Sequence, residues 1–278
     1  MNAKEIFKAF CGIPRYWKRS RDPHYVKLAM LREIKPRFVP GSVILPFGRV
    51  NYADIASLEA QYFAIFISRE YQFESSRNAP VILDCGGNIG LSALWFGMQY
   101  PGADITVFEP GPDLFPLLKK NLELHKLSSI RAEQVAVWTQ ETTLHLGNDK
   151  ADGGFTSTRS SQESRPVQAV RLADRISGPV DLLKLDIEGA EFEVMNDLAE
   201  TGKLQFIHKI AGELHAGPGD TDKVGKMLST LHKEGFQTTI SYARPAPALF
   251  CHSEATPFPS LCDGKYLALF YAWKENEA

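Results

Sequence analysis

Cysteine is scarce and scattered: Cys11, Cys85, Cys251 and Cys262 form no CxxC pair and no Cys/His cluster. That excludes a zinc ribbon or a disulfide scaffold and suits a reducing compartment. No window approaches the roughly 18 consecutive apolar residues that a spanning helix needs. Nor do the first thirty residues hold a secretory apolar core, because "KEIFKAFCGIPRYWKRSRD" interrupts its apolar positions with charge every few residues. There is no internal repeat, no low-complexity tract and no N-P-P-Y-like segment, and a net charge of −2 gives no general pull toward nucleic acid. These absences leave the expectation of a soluble, cytoplasmic globular protein, long enough at 278 residues for one large domain with an appendage.

Charge is unevenly placed. Residues 1–40 carry ten Lys and Arg against Glu5, Asp22 and Glu33, a net of +7, so the remainder stands near −9. Such an arm suits peripheral contact with an anionic membrane or a lipid-linked substrate; a solvated helical face beside an acidic body is the plainer reading. Residues 1–75 read as an extension. It should hold short helices parted by Pro14, Pro23, Pro36 and Pro40, two extended pieces around Gly48, and a helix with Leu58, Tyr62, Phe63, Ile65 and Phe66 on its buried face.

Over residues 76–278 the pattern becomes regular alternation. "APVILDC", "ADITVFE", "AEQVAVW", "PVDLLKLDIEG" and "FIHKIAGELH" are apolar strand-like runs. "IGLSALWFGMQY", "PDLFPLLKKNLELH", "AEFEVMNDLAETG" and "DTDKVGKMLSTLHKEG" lie among them as helices. Continuous apolar strands between helices predict a doubly wound α/β sheet covered on both faces. "FQTTISY" and "KYLALFYAW" close the pattern as an antiparallel edge, and "ETTLHLG" reads as an edge strand or hairpin partner.

One turn in this pattern is chemically distinctive. "VILDCGGNIGLSALWF" sets Asp84, Gly86, Gly87, Asn88 and Gly90 between a strand and a helix. Glycines there let the backbone approach a ligand, beside a helix N-terminus. Nineteen residues after Gly90, Glu109 ends the next strand, where a carboxylate accepts the hydroxyls of an adenosine ribose. The spacing is not the G-x-G-x-x-G of dinucleotide sites, and Asp84 facing the loop repels pyrophosphate but suits an ammonium or a sulfonium. S-adenosylmethionine fits these charges better than NAD does.

"ILDCGGNIGLSALWF", "ITVFEPGPDLFPLLKKNLELH", "VAVW" and "DLLKLDIEGAEFEVM", in this order and spacing, resemble the FkbM-type family of S-adenosylmethionine-dependent methyltransferases over roughly residues 50–240. The resemblance implies a Rossmann-like class I methyltransferase fold, a mostly parallel seven-stranded sheet with an antiparallel last strand. It implies O-methylation of hydroxyls on saccharides or related secondary metabolites. It also implies that Asp84, Gly86, Asn88 and Gly90 frame the methionine part, that Glu109 holds the ribose, and that Pro110 and Ala136 border the adenine.

Methyl transfer to oxygen is an in-line displacement, in which orientation and a base both contribute. Asp186 and Glu188 end the fourth strand, pointing to one side if extended, and Glu213 and His215 end the fifth. His215 or Glu213 is the expected base, with Asp186 positioning donor or acceptor and Glu191 charging the next helix start. Asp186, Glu213 and His215 as ligands to magnesium or manganese are an alternative use of these groups. Thr156, Ser157 and Thr158 in a loop, Tyr71 or Phe73 as a lid, and the loop-rich residues 243–264 are candidates to shape the acceptor pocket. An NAD-dependent oxidoreductase and a catalytically idle cofactor-binding module are the competing readings.

Overall fold

The computed structural model describes residues 3–147, 156–157, 164–245 and 266–275. Helices α1 (Ala3–Ser20) and α2 (Pro23–Ile34) come first and pack on each other. Hairpin strands β1 (Gly41–Leu45) and β2 (Gly48–Tyr52) follow, then α3 (Ile55–Tyr62), which continues into one wider helical turn over Phe63–Ile67. Asp22 caps α2 through the Tyr25 N–H (2.7 Å), and Asp54 caps α3 through the Ser57 N–H (3.0 Å). Pro14 lies inside α1 and does not end it.

Strand β3 (Val81–Cys85) and α4 (Leu91–Gln99) open the alternating part, followed by β4 (Asp104–Phe108), α5 (Phe115–Leu124) and β5 (Arg131–Glu133). The chain then builds a small second sheet from β6 (Ala136–Trp138), β7 (Thr142–Leu146), β8 (Thr156–Ser157) and β9 (Arg165–Arg171), in the order β6-β9-β7-β8. It returns through β10 (Leu182–Leu185), α6 (Glu191–Glu200), β11 (Lys209–Ala216), α7 (Thr221–Lys233), β12 (Gln237–Pro245) and β13 (Tyr266–Trp273).

The main sheet has seven strands in the order β12-β13-β11-β10-β3-β4-β5. The strands β11, β10, β3, β4 and β5 run parallel, and β13 is antiparallel to both of its neighbours. This is the expected Rossmann-like α/β architecture, and the last two strands form its antiparallel end. Within it β13 slots between β11 and β12, burying Ala268, Phe270 and Ala272 in the core. One correction concerns "AEQVAVW", which is not one strand. The chain breaks after Glu133, giving β5 to the main sheet and β6 to the small one, where "ETTLHLG" also pairs.

One face of the sheet carries Ile82, Leu182 and Ala211 against α4, α5, α3, α2 and the hairpin; the other carries Leu83, Leu183, Leu185 and Ile210 against α6 and α7. The first core runs unbroken from Tyr25 and Leu28 to Leu94 and Phe96, so the extension expected to end at residue 75 shares its interior with the sheet. Strand order reverses between β3 and β10, the position where open α/β sheets hold their ligands.

Candidate active site

The glycine turn joins β3 to α4 at that reversal. Gly86 and Gly90 have φ of +89° and +87°, and Asn88 lies at +49°, where asparagine is tolerated better than most residues. The glycines make room for the protein's own chain. A Cβ on Gly86 would collide with the Asp186 carbonyl oxygen, and one on Gly87 with the Val107 side chain.

Every N–H of the turn has an internal acceptor. Gly86 and Gly87 donate to the Phe108 carbonyl (3.0 and 2.9 Å), and Gly90 donates to that of Gly87 (2.8 Å). Asn88 donates to Glu109 Oε2 (2.7 Å), and the Ile89 N–H is taken by Asn88 Oδ1 (2.8 Å). In this structure these groups are held within the protein. Residues 86–90 thus leave no amide of their own for a pyrophosphate, which in glycine-rich turns relies on such donors.

Asp84 does not face the loop. It is fully buried beneath it, with Oδ1 3.0 Å from Lys184 Nζ and Oδ2 2.5 Å from Ser92 Oγ. The parallel register sets Lys184 of β10 directly opposite Asp84 of β3, so the pair follows from strand pairing. Lys184 also donates to the Gly86 carbonyl (2.7 Å) and lies 3.9 Å from Asp186. Burial alone would lower the Lys184 ammonium, but Asp84 and Asp186 outweigh it, and its pKa is raised. Lys184 went unnoticed in the sequence, although a lysine inside "VDLLKL" is the signal that something buried must meet it.

Glu109 is 6% exposed and takes the N–H groups of Asn88 and Gly111 (2.6 Å), one on each oxygen. Burial pushes its carboxyl up to about 7 against those two bonds. Each oxygen keeps a second lone pair for a hydroxyl donor. Pro110 is half-buried beside it. Ala136 packs into the small sheet's core with Leu144, Val167 and Ala169 at 2% exposure, so its side chain does not border an adenine.

Asp186, Glu213 and His215 share the sheet face that carries Lys184 and Ala211, because alternate residues of a strand point to the same side. Glu188 is not extended: with φ +57° at Glu188 and +102° at Gly189, "DIEGAE" turns sharply after β10. That turn brings Glu188 Oε2 to 3.1 Å from His215 Nε2, while Glu191 Oε1 lies 3.0 Å from His215 Nδ1. Glu191 opens α6, fully buried, and also accepts the Ile187 and Gly189 N–H groups.

Burial alone would lower the His215 imidazole, but the two carboxylates overcome it and push it up to about 12. Both ring nitrogens are engaged by carboxylates, which favours the protonated ring over the neutral one that the expected histidine base requires. Burial raises the Glu188 carboxyl as well. Asp186, Glu188 and His215 each present a ligand atom within 4.8 Å of the others.

Tyr71 stands beside this cluster as wall and not as lid. It is buried, with Lys184 Nζ 5.3 Å from its ring centre. Burial, then the nearby Asp186, Glu70, Glu213 and Asp84, hold its hydroxyl well above the usual range. Phe73 is fixed elsewhere, its ring against Tyr100 (4.5 Å) and its N–H on the Tyr100 hydroxyl. Thr156 and Ser157 form β8, paired with β7. Thr158 and residues 246–264 of the proposed C-terminal cover lie outside the described residues.

Comparison with known proteins agrees with this architecture. The family described as Methyltransferase FkbM domain matches residues 84–238, from Asp84 through the site to the start of β12. A protein of Beauveria bassiana named Methyltransferase 1 is 30% identical over 220 residues, covering 69% of this chain and 87% of that one. The 31-O-demethyl-FK506 methyltransferase FkbM of Streptomyces tacrolimicus is 28% identical over 232 residues, covering 69% and 87%. The hexuronic acid methyltransferase AglP of Haloferax volcanii is 28% identical over 173 residues, covering 56% and 64%. The match spans more than half of the chain and contains the glycine turn, Glu109, Lys184 and the acidic strand ends: the chain belongs to the FkbM methyltransferase family.

Proposed function

We propose that the protein transfers a methyl group from S-adenosylmethionine to a hydroxyl of a saccharide or related polyhydroxylated metabolite. The observation that carries this reading is the charge pattern at the strand reversal. Residues 86–90 use their amides internally, and Asp186, Glu188 and Glu213 gather carboxylates at the neighbouring strand ends. That pattern suits a donor with an ammonium and a sulfonium. Among the relatives, one is named for an O-demethylated substrate and another for a hexuronic acid.

S-adenosylmethionine, when bound, supplies an electrophilic methyl group on a positively charged sulfur. Glu109, with its free lone pairs, would hold the ribose hydroxyls, and Asp186 would hold the ammonium beside the Gly86 turn. Lys184 fixes that turn through the Gly86 carbonyl. An acceptor hydroxyl at the mouth of β10 and β11 would give its proton to Glu213 as its oxygen takes the methyl group and the sulfur keeps the electron pair of the broken S–C bond. His215, cationic and held on both nitrogens, positions Glu188 and Glu191 and takes no proton.

One observation favours a second reading within the same site. The close approach of Asp186, Glu188 and His215 fits a magnesium or manganese ion, which would polarise the acceptor hydroxyl. It requires His215 to surrender its proton and its bond to Glu188.

Calorimetric titration with S-adenosylmethionine and with NAD tests the donor, followed by transfer of labelled methyl to a panel of sugars and uronic acids with and without chelator. Saturable binding of S-adenosylmethionine, weakened in Glu109→Gln, supports the reading. Glu213→Gln is expected to lower kcat by about 10²–10⁴-fold, and Asp186→Asn to weaken donor binding. Binding of NAD alone, or of neither, sinks it; activity lost to chelator and restored by magnesium selects the metal reading.

A further inference from the structure

The methyltransferase site leaves the first helix unexplained. On α1, positions 7, 10, 14 and 17 fall on one side at helical spacing. That side carries Phe7, Phe10 and Trp17 at 72, 57 and 51% exposure, with Pro14 exposed among them. The helix is anchored by other positions: Ala9 and Tyr16 are buried, and Tyr16 Oη donates to Glu33 on α2 (3.2 Å). Three large aromatics in solvent on one helix face are unusual in a soluble protein and mark a contact surface.

The charge beside them says what kind. Lys18 and Arg21 are exposed along or just after the same helix and form no ion pair among the described residues; Arg15, also exposed, donates to Tyr16 Oη (3.4 Å), and Arg19 turns back over the Phe63 ring (4.0 Å). The cations deeper in this region are already used: Arg32 binds Glu59 and Glu33, and Arg37 binds Asp54. A stripe of Phe and Trp flanked by unpaired Lys and Arg matches the acyl boundary and headgroups of an anionic bilayer. Two copies meeting through this face would bring these unpaired cations together without an acid between them. In the described residues no helix is long and apolar enough to cross a membrane, so contact would be at the surface.

We propose that α1 docks the protein on anionic lipid bilayers, with Phe7, Phe10 and Trp17 inserted at the interface and Arg15, Lys18 and Arg21 against the headgroups. Such docking presents the methyltransferase cleft to acceptors at a membrane surface.

The test is flotation of the full chain with vesicles of phosphatidylcholine alone and of phosphatidylcholine mixed with phosphatidylglycerol, at low and high salt. The expected result is flotation with the anionic vesicles only, weakened by salt. Arg15→Gln and Lys18→Gln should each lower partitioning about fivefold. Phe7→Ser, Phe10→Ser and Trp17→Ser combined should abolish it with an unchanged thermal midpoint; if that triple variant is unstable, Trp17→Ser alone with the charge variants decides. No flotation, or equal flotation with neutral vesicles, overturns the proposal. So does a self-association in sedimentation that the aromatic substitutions disrupt in the absence of lipid binding, which would make the face a contact between copies.

Discussion

Lys184 of β10 lies directly opposite Asp84 of β3, its Nζ 3.0 Å from the carboxylate and 2.7 Å from the Gly86 carbonyl, with both side chains nearly or fully buried. The pair ties the two strands that flank the reversal to the turn between β3 and α4. Removing one partner leaves the other charged in an apolar interior. Lys184→Met should therefore cost about 3–5 kcal/mol. Asp84→Leu combined with Lys184→Met should recover part of that loss, while neither form regains cofactor affinity. Urea unfolding of the two single variants and the double variant measures the coupling; additive losses would show that the pair does not act as a unit.

Gly86→Ala is expected to be severe for two independent reasons. Its φ of +89° strains any side chain, and the new methyl would meet the Asp186 carbonyl oxygen. Positive-φ strain alone costs about 1–3 kcal/mol, and displacing Asp186 disturbs the site as well. Gly178→Ala is the control, since nothing lies within 4 Å of its added Cβ. Thermal unfolding and donor titration should separate the two variants clearly.

Much of this was legible in the residues, and the failures have physical causes. Apolar alternation located the strands and helices of the main sheet, because strands buried on both faces must read that way. The four-stranded sheet was not legible: β5 and β6 are three residues each, too short for periodicity, and β9 is half exposed. The glycines marked the right turn, but one reason for them was not legible. Crowding at Gly86 and Gly87 comes from Asp186 and Val107, distant in sequence. His215 and Glu191 looked like independent groups until the turn at Glu188 and Gly189 folded both carboxylates onto one imidazole.

Glu109 predicts a pH-dependent donor affinity. Its carboxyl is pushed up to about 7, so much of it is protonated near neutrality. Hydroxyls of a ribose donate best to the ionised form, so binding should tighten as pH rises through about 7 and release a proton below it. The same shift acts on folding in the opposite sense. Stability contributed by the protonated folded form is present below the unfolded value of 4.5 and declines as pH rises toward about 7. Calorimetry in buffers of different ionisation enthalpy detects the proton, and Glu109→Gln should remove both effects.

His215 provides the sharpest test of its role as a fixed cation. Its pKa is raised from 6.5 to about 12, so the folded protein holds a proton that the unfolded chain releases above 6.5. The stability from this site is fully present below about 6.5 and falls as pH rises toward 12, with a slope of at most about 1.4 kcal/mol per pH unit. His215→Gln lacks the charge and leaves the buried Glu191 with only backbone donors. Its stability deficit against the native chain should therefore be largest in mild acid and shrink as the solution becomes alkaline. Urea unfolding across that range follows the deficit, and a pH–rate profile accompanies it. A deficit independent of pH, together with an inflection in kcat near 6.5 that vanishes in His215→Gln, would identify an ordinary titrating histidine and return the base to His215.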